Sequence, residues 1–495
     1  MDKIPFIGDA SPPVATEPQT FNEEADNSSE EGETQEIDAR RQIFLGGYEL
    51  YSQGRYLEAC SELNRYLSEV TPDDTDYEWA AFFFGISLKK AGFSHAAVDT
   101  LANLVTRKPN TKIVNYSLEL LEEISRTSPF DEALLVNTAL CDQSYDFVEG
   151  EIADFVNYYQ GEENWEHGLF GWGDEHFQKI EPGSYYHTKY LFKNGLRKLY
   201  AGRTDEAITL LKQVVSADVT AKVLKDDARK TMARLFYETG RFEEADLLYR
   251  QIEMNILEQS QNMLERAWAH YRMGNPERAM GLLYSFRAPS YRNSFTPEFY
   301  ILKSFIYKDV CHYEKAMQVL TQFKEHYGEA LEQVYDRGEV KDNDALLLVI
   351  LHKPRVKKIW KFLSLLENEQ KLCEDLKDEA LSDYLMQLYM LKRDEYERLF
   401  RLRVEEEYET MANALLQFEE EAHLMEYEIG LDMYQRISDY HYSEEGDENK
   451  EPKKSETTQA VYKFQGEFWN DELNNYTVAL PDKCKDAEEW DIFFK

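Results

Sequence analysis

Apolar residues recur along most of this chain at spacings of three and four residues, the period of a helix that buries one face. From about residue 40 to residue 326 this pattern falls into six similar units. In each unit a small residue is followed seven positions later by a glycine or its substitute, and about five positions after that by an alanine. Because glycine can take the left-handed conformation that ends a helix, each unit predicts two helices joined by a tight turn.

The marker residues of the successive units are Gly47, Gly54 and Ala59; Gly85, Gly92 and Ala97; Gly195, Gly202 and Ala207; Ala233, Gly240 and Ala245; Ala267, Gly274 and Ala279; and Ser304, Cys311 and Ala316. In the sixth unit Cys311 stands where glycine is expected. A single helical hairpin cannot bury its own apolar face, so neighbouring units must stack on one another. The predicted fold class is therefore all-α, a solenoid with a concave inner wall.

The fourth unit closely resembles the tetratricopeptide repeat (TPR). It carries Ala233, Phe236, Gly240, Arg241, Phe242, Ala245, Tyr249 and Ile252 within the run MARLFYETGRFEEADLLYRQI. The resemblance implies a protein-binding surface rather than a reaction pocket, and it implies that set positions of each first helix face a groove.

Counting from each unit's markers assigns a set of partner-binding residues to this groove, which we call the inner face. They are Tyr48, Tyr51, Phe82, Lys89, Phe192, Lys230, Arg234, Tyr237, Trp268, Tyr271, Arg272, Phe305 and Lys308. Aromatic rings beside cations suit an acidic or extended peptide with apolar anchors. Packing within the chain is the alternative role for each of these residues.

A different pattern begins after Pro354, where apolar residues follow a heptad spacing over Ile359, Phe362 and Leu366 and again from Val404 to Ile429. No proline occurs from residue 355 to residue 451, which favours very long, coiled-coil-like helices. A folded hairpin, an extended rod, and a single helix packed on the end of the solenoid all fit this pattern.

The chain divides into seven segments on these criteria. Residues 1–38 are predicted to be a disordered acidic tether, 39–160 a first solenoid block, 161–184 an insertion rich in glycine and aromatics, 185–330 a second block of repeats, 331–442 the long helices, 443–457 a charged linker, and 458–495 an aromatic tail.

The net charge of −38 argues against a nucleic-acid partner, because phosphate binding depends on clustered Lys and Arg. It indicates a self-repelling soluble surface, with attraction of a basic partner as the alternative. No stretch approaches the roughly 20 apolar residues of a transmembrane helix, and no apolar leader is visible. The segment 331–442 also allows self-association.

Neither a metal site nor a catalytic site is predicted. The five cysteines are widely spaced, and we expect neither a disulfide framework nor a zinc site from them. His167, Asp174 and His176 match no standard zinc spacing, and neither GxSxG nor HExxH occurs. We therefore expect a non-enzymatic protein with no cofactor. The alternative is an enzyme or small-ligand-binding protein whose pocket is built by residues 161–184.

A second candidate surface is the run HKPRVKKIWK, where Lys353, Lys357 and Lys361 recur every four residues and Lys358 joins them. On a helix these cations share one face that could dock an acidic partner or the acidic N-terminal segment. A solvated face paired with nearby glutamates is the alternative.

The tail carries a second resemblance. Phe464, Gly466, Glu467, Phe468, Trp469, Asp471, Glu472, Leu473, Tyr476 and Cys484 resemble the closing segment of large TPR proteins of myxobacteria and related predatory bacteria. This resemblance implies a place in the cell envelope or the gliding-motility machinery, in the periplasm or at the outer membrane if a leader has been removed, and otherwise in the cytoplasm.

The tail aromatics Phe464, Phe468, Trp469 and Tyr476 are too apolar to stay solvated, so we predict that the tail docks on the solenoid or on the long helices. The predicted function is a scaffold that binds a peptide or helix in its groove and supports a multiprotein complex. A structural envelope protein whose groove holds its own tail is the runner-up.

Overall fold

The structure is a computed structural model that describes residues 27–140, 144–252, 256–291, 294–443 and 473–485. These residues form helices, turns and irregular segments, with no β-strand among them. The first eight helices are α1 (Asn27–Ser52), α2 (Tyr56–Glu69), α3 (Tyr77–Ala91), α4 (Ser94–Thr106), α5 (Thr111–Thr127), α6 (Glu132–Asn137), α7 (Gly150–Glu166) and α8 (Phe170–Gln178).

Eight further helices complete the repeat region: α9 (Tyr185–Tyr200), α10 (Thr204–Ser216), α11 (Lys222–Glu238), α12 (Phe242–Arg250), α13 (Ile256–Arg272), α14 (Pro276–Tyr284), α15 (Pro297–Asp309) and α16 (Tyr313–Tyr335). The chain continues with α17 (Asp344–Ile350), α18 (Pro354–Glu374) and α19 (Glu379–Ser443). The all-α solenoid expected from the sequence is confirmed.

Left-handed backbone joins the two helices of all six predicted hairpins. The φ angles are +75° at Gly54, +101° at Gly92, +73° at Gly202, +78° at Gly240, +76° at Gly274 and +58° at Cys311. Cys311 therefore takes the conformation that glycine takes elsewhere, as its place in the pattern predicted.

The small marker residues permit close helix crossing. A Cβ atom added to Gly47 would lie 2.8 Å from the Leu63 side chain, and one added to Gly85 would lie 2.8 Å from Leu101. Both leucines are fully buried. The second helix of each of these two hairpins thus packs a leucine directly on the backbone of the first helix.

Most of the insertion 161–184 is helical, because α7 continues to Glu166 and α8 follows. A seventh hairpin forms from Gly161, Gly168 and Gly173, with Gly168 at a φ of +77°. A Cβ on Gly173 would lie 2.8 Å from the Gly161 carbonyl oxygen. The spacing matches the six other units, but glycine replaces the final alanine. Trp172 of α8 is 63% exposed.

α1 begins at Asn27, inside the segment predicted as a disordered tether. The prediction is therefore wrong for residues 27–38. Their glutamates are acceptable helix formers, and they extend a helix whose later turns pack on α2. The linker 444–457 lies outside the described residues.

α19 is 65 residues long, which corresponds to about 97 Å at 1.5 Å per residue. Near its beginning, Leu381, Leu385 and Tyr389 are fully buried in the core that contains the first hairpins. Farther along, apolar residues from Val404 to Ile429 join the core of α16. The apolar residues of the heptad pattern thus pack against other helices of the same chain. α18 and α19 form a hairpin, and the rest of α19 packs on α15, α16 and α17.

A buried carboxylate fixes the α18–α19 hairpin to the second repeat. Glu369 of α18 accepts hydrogen bonds from the backbone N–H groups of Ser94, at 2.8 Å, and His95, at 3.0 Å. The Tyr389 hydroxyl donates to it at 2.7 Å. Because Ser94 begins α4, Glu369 supplies the acceptor that the free N–H groups of this helix require.

Two buried groups at this contact titrate in opposite senses. Burial raises the pKa of Glu369 to about 7, against the lowering effect of its hydrogen bonds. Burial, assisted by the charge of Lys392, lowers the pKa of His95 to about 4. The stabilisation linked to Glu369 is complete below its unfolded pKa of 4.5 and is lost as the pH rises through 7. The stabilisation linked to His95 is complete above pH 6.5, its pKa in the unfolded chain, and is lost as the pH falls through 4.

We predict that Glu369→Gln and His95→Gln give pH dependences of opposite sign. Between pH 4.5 and 6.5 the free energy of unfolding should rise with pH in Glu369→Gln, where His95 remains, and fall in His95→Gln, each by on the order of 2 kcal/mol. Urea titrations at several pH values measure both slopes. Glu374→Gln, at an exposed site on α18, is the control and should match the wild type. Slopes of the same sign in the two variants would refute this account.

Candidate functional site

The inner-face residues of the first two hairpins are largely packed within the chain. Phe82 is 1% exposed, so this residue is not available to a partner, contrary to its assignment. The rings of Tyr48 and Tyr51 lie 4.8 Å and 5.3 Å from the ring of Phe83. Lys89 forms an ion pair with Glu123 of α5 at 2.5 Å.

The inner face of the sixth hairpin is covered by α19. Lys308 Nζ lies 2.6 Å from Glu428 and 3.7 Å from Asp432, both on α19. Phe305 packs against the apolar cluster that α19 shares with α16. Neither residue faces an open groove in this structure.

A charged pair crosses between the fourth and fifth hairpins. Arg234 of α11 donates hydrogen bonds to both carboxylate oxygens of Glu265 on α13, and the shortest of these bonds is 2.6 Å. Burial would raise the pKa of Glu265, but the hydrogen bond and charge of Arg234, with a smaller effect of Lys230, hold it below its usual value. Arg234 therefore has a structural role in addition to any role in binding.

The middle hairpins keep the rest of the inner face partly or fully accessible. Arg272 is exposed, and no residue of the described ranges forms an ion pair with it. Phe192, Tyr237 and Trp268 are half-buried on α9, α11 and α13. Tyr271 donates to Asp309. The accessible inner face thus lies on three successive first helices and combines rings with a free cation.

The predicted basic surface lies at the start of α18. Lys358 pairs with Glu132 of α6 at 2.6 Å. Lys361 is exposed, and Lys353 and Lys357 are half-buried. Contact with the acidic N-terminal segment stays a prediction, since residues 1–26 of that segment lie outside the described residues.

The residues considered as metal ligands have separate partners. Asp174 accepts hydrogen bonds from Trp165 at 3.0 Å and Arg197 at 2.9 Å, and His176 bonds to Asn157 at 3.1 Å. No cluster of three or more His, Cys, Asp or Glu side chains able to hold a metal ion occurs among the residues that the structure describes.

The tail from residue 473 to residue 485 lies on the solenoid. It contacts α14 and the turn between α15 and α16. Leu473 is 1% exposed, in the core formed by α13, α14 and α15. Tyr476, Val478 and Leu480 pack against the same core. Tail docking is therefore observed for Tyr476, whereas Phe464, Phe468 and Trp469 lie outside the described residues.

The solenoid binds this segment largely through its backbone. Arg278 donates to the carbonyl oxygens of Asn474 and Tyr476, and Ser285 donates to that of Leu473 at 2.7 Å. The Val478 N–H donates to the Glu277 carbonyl at 3.0 Å. Two more backbone contacts follow, from the Lys483 N–H to the Val310 carbonyl at 3.1 Å and between His312 Nε2 and the Pro481 carbonyl at 2.8 Å.

Gly281 makes this close approach possible. A Cβ atom at this position of α14 would lie 1.8 Å from the Tyr476 carbonyl oxygen and 2.6 Å from the Thr477 nitrogen. Both neighbours are backbone atoms, so the contact cannot be relieved by a rotamer change. A glycine inside a helix is a signal of close backbone approach that could have identified this site from the sequence.

A buried charge network lies beside the docked tail. Arg266 of α13 donates to Asp246 of α12 at 2.8 Å and to the Asn474 side chain at 2.7 Å. Burial would raise the pKa of Asp246, but His270 and Arg266 together hold it well below its usual range. Asn474 therefore joins an ion pair already present in the solenoid. No periodic pattern marks these residues, so sequence reasoning missed them.

Cys311 and Cys484 form a disulfide, which corrects our expectation that the cysteines are unpaired. The bond ties the tail to the turn of the sixth hairpin across 173 positions of sequence. Such a pairing depends on the tertiary fold and has no local sequence signal. Cys60 and Cys373 are free and buried, and Cys141 lies outside the described residues.

The solved structures that resemble this chain include one repeat protein, at low similarity. A tetratricopeptide repeat protein from Parabacteroides merdae ATCC 43184 is 15% identical, with a TM-score of 0.24, and the match covers 58% of this chain and 93% of that one. No family model and no curated protein matches this chain.

The hairpins themselves define the class: the chain is an all-α solenoid of TPR-like repeats. No helix in the part of the chain that the structure describes is long and apolar enough to cross a membrane.

We predict that Gly281→Ala releases the tail from α14. The new methyl group overlaps the Tyr476 carbonyl, so the Val478 amide should lose its protected position and exchange hydrogen at least about tenfold faster, a loss of about 1.4 kcal/mol. Hydrogen exchange of the peptide 473–485 measures this. Gly328→Ala in α16 has open space around it and is the matched control. Equal protection in both variants would contradict the role given to Gly281.

We also predict that two variants without the disulfide differ in stability. Cys484→Ser leaves Cys311 in the left-handed conformation, which is strained for any residue other than glycine. Cys311→Gly removes this backbone strain, which costs about 1 kcal/mol. Both should unfold more easily than the wild type, by up to roughly 5 kcal/mol in the chain-entropy view. Urea titration should find Cys311→Gly the more stable of the two. The reverse order would be evidence against strain at this turn.

Proposed function

We propose that this protein is a non-enzymatic scaffold that binds protein segments and supports a multiprotein complex. The docked tail is the observation that carries this proposal. It is an irregular segment, with a 3-10 turn at Leu473–Asn475 and another at Lys483–Lys485, that the repeats hold through backbone hydrogen bonds, one buried leucine and a helix glycine. Repeats that bind such a segment in cis have the chemistry required to bind one in trans.

The partner site in this proposal is the accessible inner face on α9, α11 and α13. The hydrogen-bond partners of the tail lie on α13, α14 and α19 and in the turns after α14 and α15, and they include Arg266, Arg278 and His312 rather than inner-face residues. The docked tail thus leaves Phe192, Tyr237 and Arg272 open. Half-buried rings beside a guanidinium that forms no ion pair within the described ranges favour an acidic segment with aromatic or aliphatic anchors.

We further propose an oxidising compartment such as the bacterial envelope. Disulfides persist in the periplasm and at cell surfaces and are rare in the cytosol. The Cys311–Cys484 bond supports this location, as does the resemblance of the tail to envelope-associated TPR proteins. Recovery of the oxidised bond from cells lysed in the presence of a thiol-blocking reagent is the direct test.

We predict that Arg272→Glu with Tyr237→Ala lowers the affinity for acidic peptides at least about tenfold, because it reverses the free cation and removes a ring. The full oxidised chain is probed with an array of short acidic, aromatic-containing peptides. The melting temperature should stay near that of the wild type, since neither residue is fully buried.

Two further variants sharpen the test. Lys212→Glu changes an exposed cation on the second helix α10 and should leave binding intact. Arg234→Glu with Lys230→Glu should reduce both binding and stability, because it places a carboxylate beside Glu265. If the array binds the wild type and the Arg272 variant equally, the inner face is not the partner site.

A further inference from the structure

A cleft of about 410 Å³ lies between α14, α15 and the docked tail. Its walls are mainly aromatic, from Phe286 of the turn after α14 and from Phe299, Tyr300 and Tyr307 of α15. The rings of Phe286 and Phe299 are 5.1 Å apart. Val478 of the tail forms part of the lining, so the cleft is complete only when the tail is docked. None of these residues belongs to the inner face.

Two cations enter this cleft, Lys303 from α15 and Arg287 from the turn after α14. Among the described residues, no carboxylate oxygen lies within 4.0 Å, the limit for an ion pair, of a side-chain nitrogen of Lys303 or Arg287. Their recorded neighbours are rings: Lys303 Nζ lies 5.1 Å from the centre of Phe299, and the Arg287 guanidinium lies 5.1 Å from that of Tyr284.

The environment of Lys303 indicates an uncompensated charge. Burial lowers the pKa of its ammonium group to about 8, and the charge of Arg287 acts in the same direction. A half-buried lysine held beside a second cation is costly unless an anion joins it. Gln322 of α16, an amide with a donor and an acceptor, completes the polar lining.

We propose that this cleft binds an aromatic carboxylate, with the carboxylate on Lys303 and Arg287 and the ring among the aromatic side chains. The volume lies within the range of small-molecule sites, and an apolar pocket with a few converging polar groups is the usual form of such a site. Because Val478 contributes a wall, the ligand stabilises the docked tail by mass action. This inference is independent of the inner-face proposal.

The test uses indole-3-acetate as the probe and the full-length oxidised chain, with binding measured by calorimetry. We expect saturable binding that weakens at least about tenfold for the neutral indole-3-acetamide, because the amide cannot form charge-assisted bonds. Lys303→Met should lose a similar factor. Lys303→Arg keeps the charge and should retain most of the affinity, and Lys212→Met, at an exposed site on α10, should bind like the wild type.

A second arm tests the contribution of the tail. Gly281→Ala should weaken indole-3-acetate binding, and saturating probe should slow hydrogen exchange at Val478 in the wild type but not in Lys303→Met. The proposal is overturned if the wild type does not bind indole-3-acetate at millimolar concentration or if it binds indole-3-acetate and indole-3-acetamide equally. It is also overturned if Lys303→Met binds indole-3-acetate as well as Lys303→Arg does.

Discussion

The packing of α19 against both ends of the repeat region is the constraint on which the rest of the structure depends. In an ordinary solenoid each repeat contacts only its neighbours, and stability is a sum of local terms. Here one helix shares a core with the first hairpins through Leu385 and with the sixth through Leu415. The two ends of the array are therefore held relative to each other by a single rigid element.

This constraint explains which parts of the inner face remain open. The sixth hairpin packs against α19, where Lys308 pairs with Glu428. The second hairpin binds α18 through Glu369 and buries Phe82 of its own first helix. The middle hairpins, which share no major contact with α19, present the inner-face side chain Arg272 without an ion-pair partner in the described ranges.

Local backbone requirements could be predicted from the sequence, and tertiary pairings could not. A left-handed turn demands a specific residue at a specific offset, so the six hairpins, including the one with Cys311, were visible in the spacing. The seventh hairpin was missed because Gly173 stands where the pattern requires alanine. The two helices nevertheless cross closely there, since a Cβ atom on Gly173 would lie 2.8 Å from the Gly161 carbonyl oxygen. The partner of Cys311, the ion pair of Arg234 and the network of Arg266 depend on which helices meet, and nothing in their local sequence reports it.

The docked tail is part of the fold rather than a cover that can leave at no cost. Arg266 is 2% exposed, and one of its nitrogens is satisfied by the Asn474 side chain. Departure of the tail would expose Leu473 and deprive buried donors of Arg266 and Ser285 of their acceptors, each a loss of roughly 1 to 3 kcal/mol unless water replaces the bond. The disulfide opposes the same step by keeping the tail at high local concentration. Any partner of this surface must therefore compete with a bound, tethered segment, which favours the unoccupied inner face as the site of first contact.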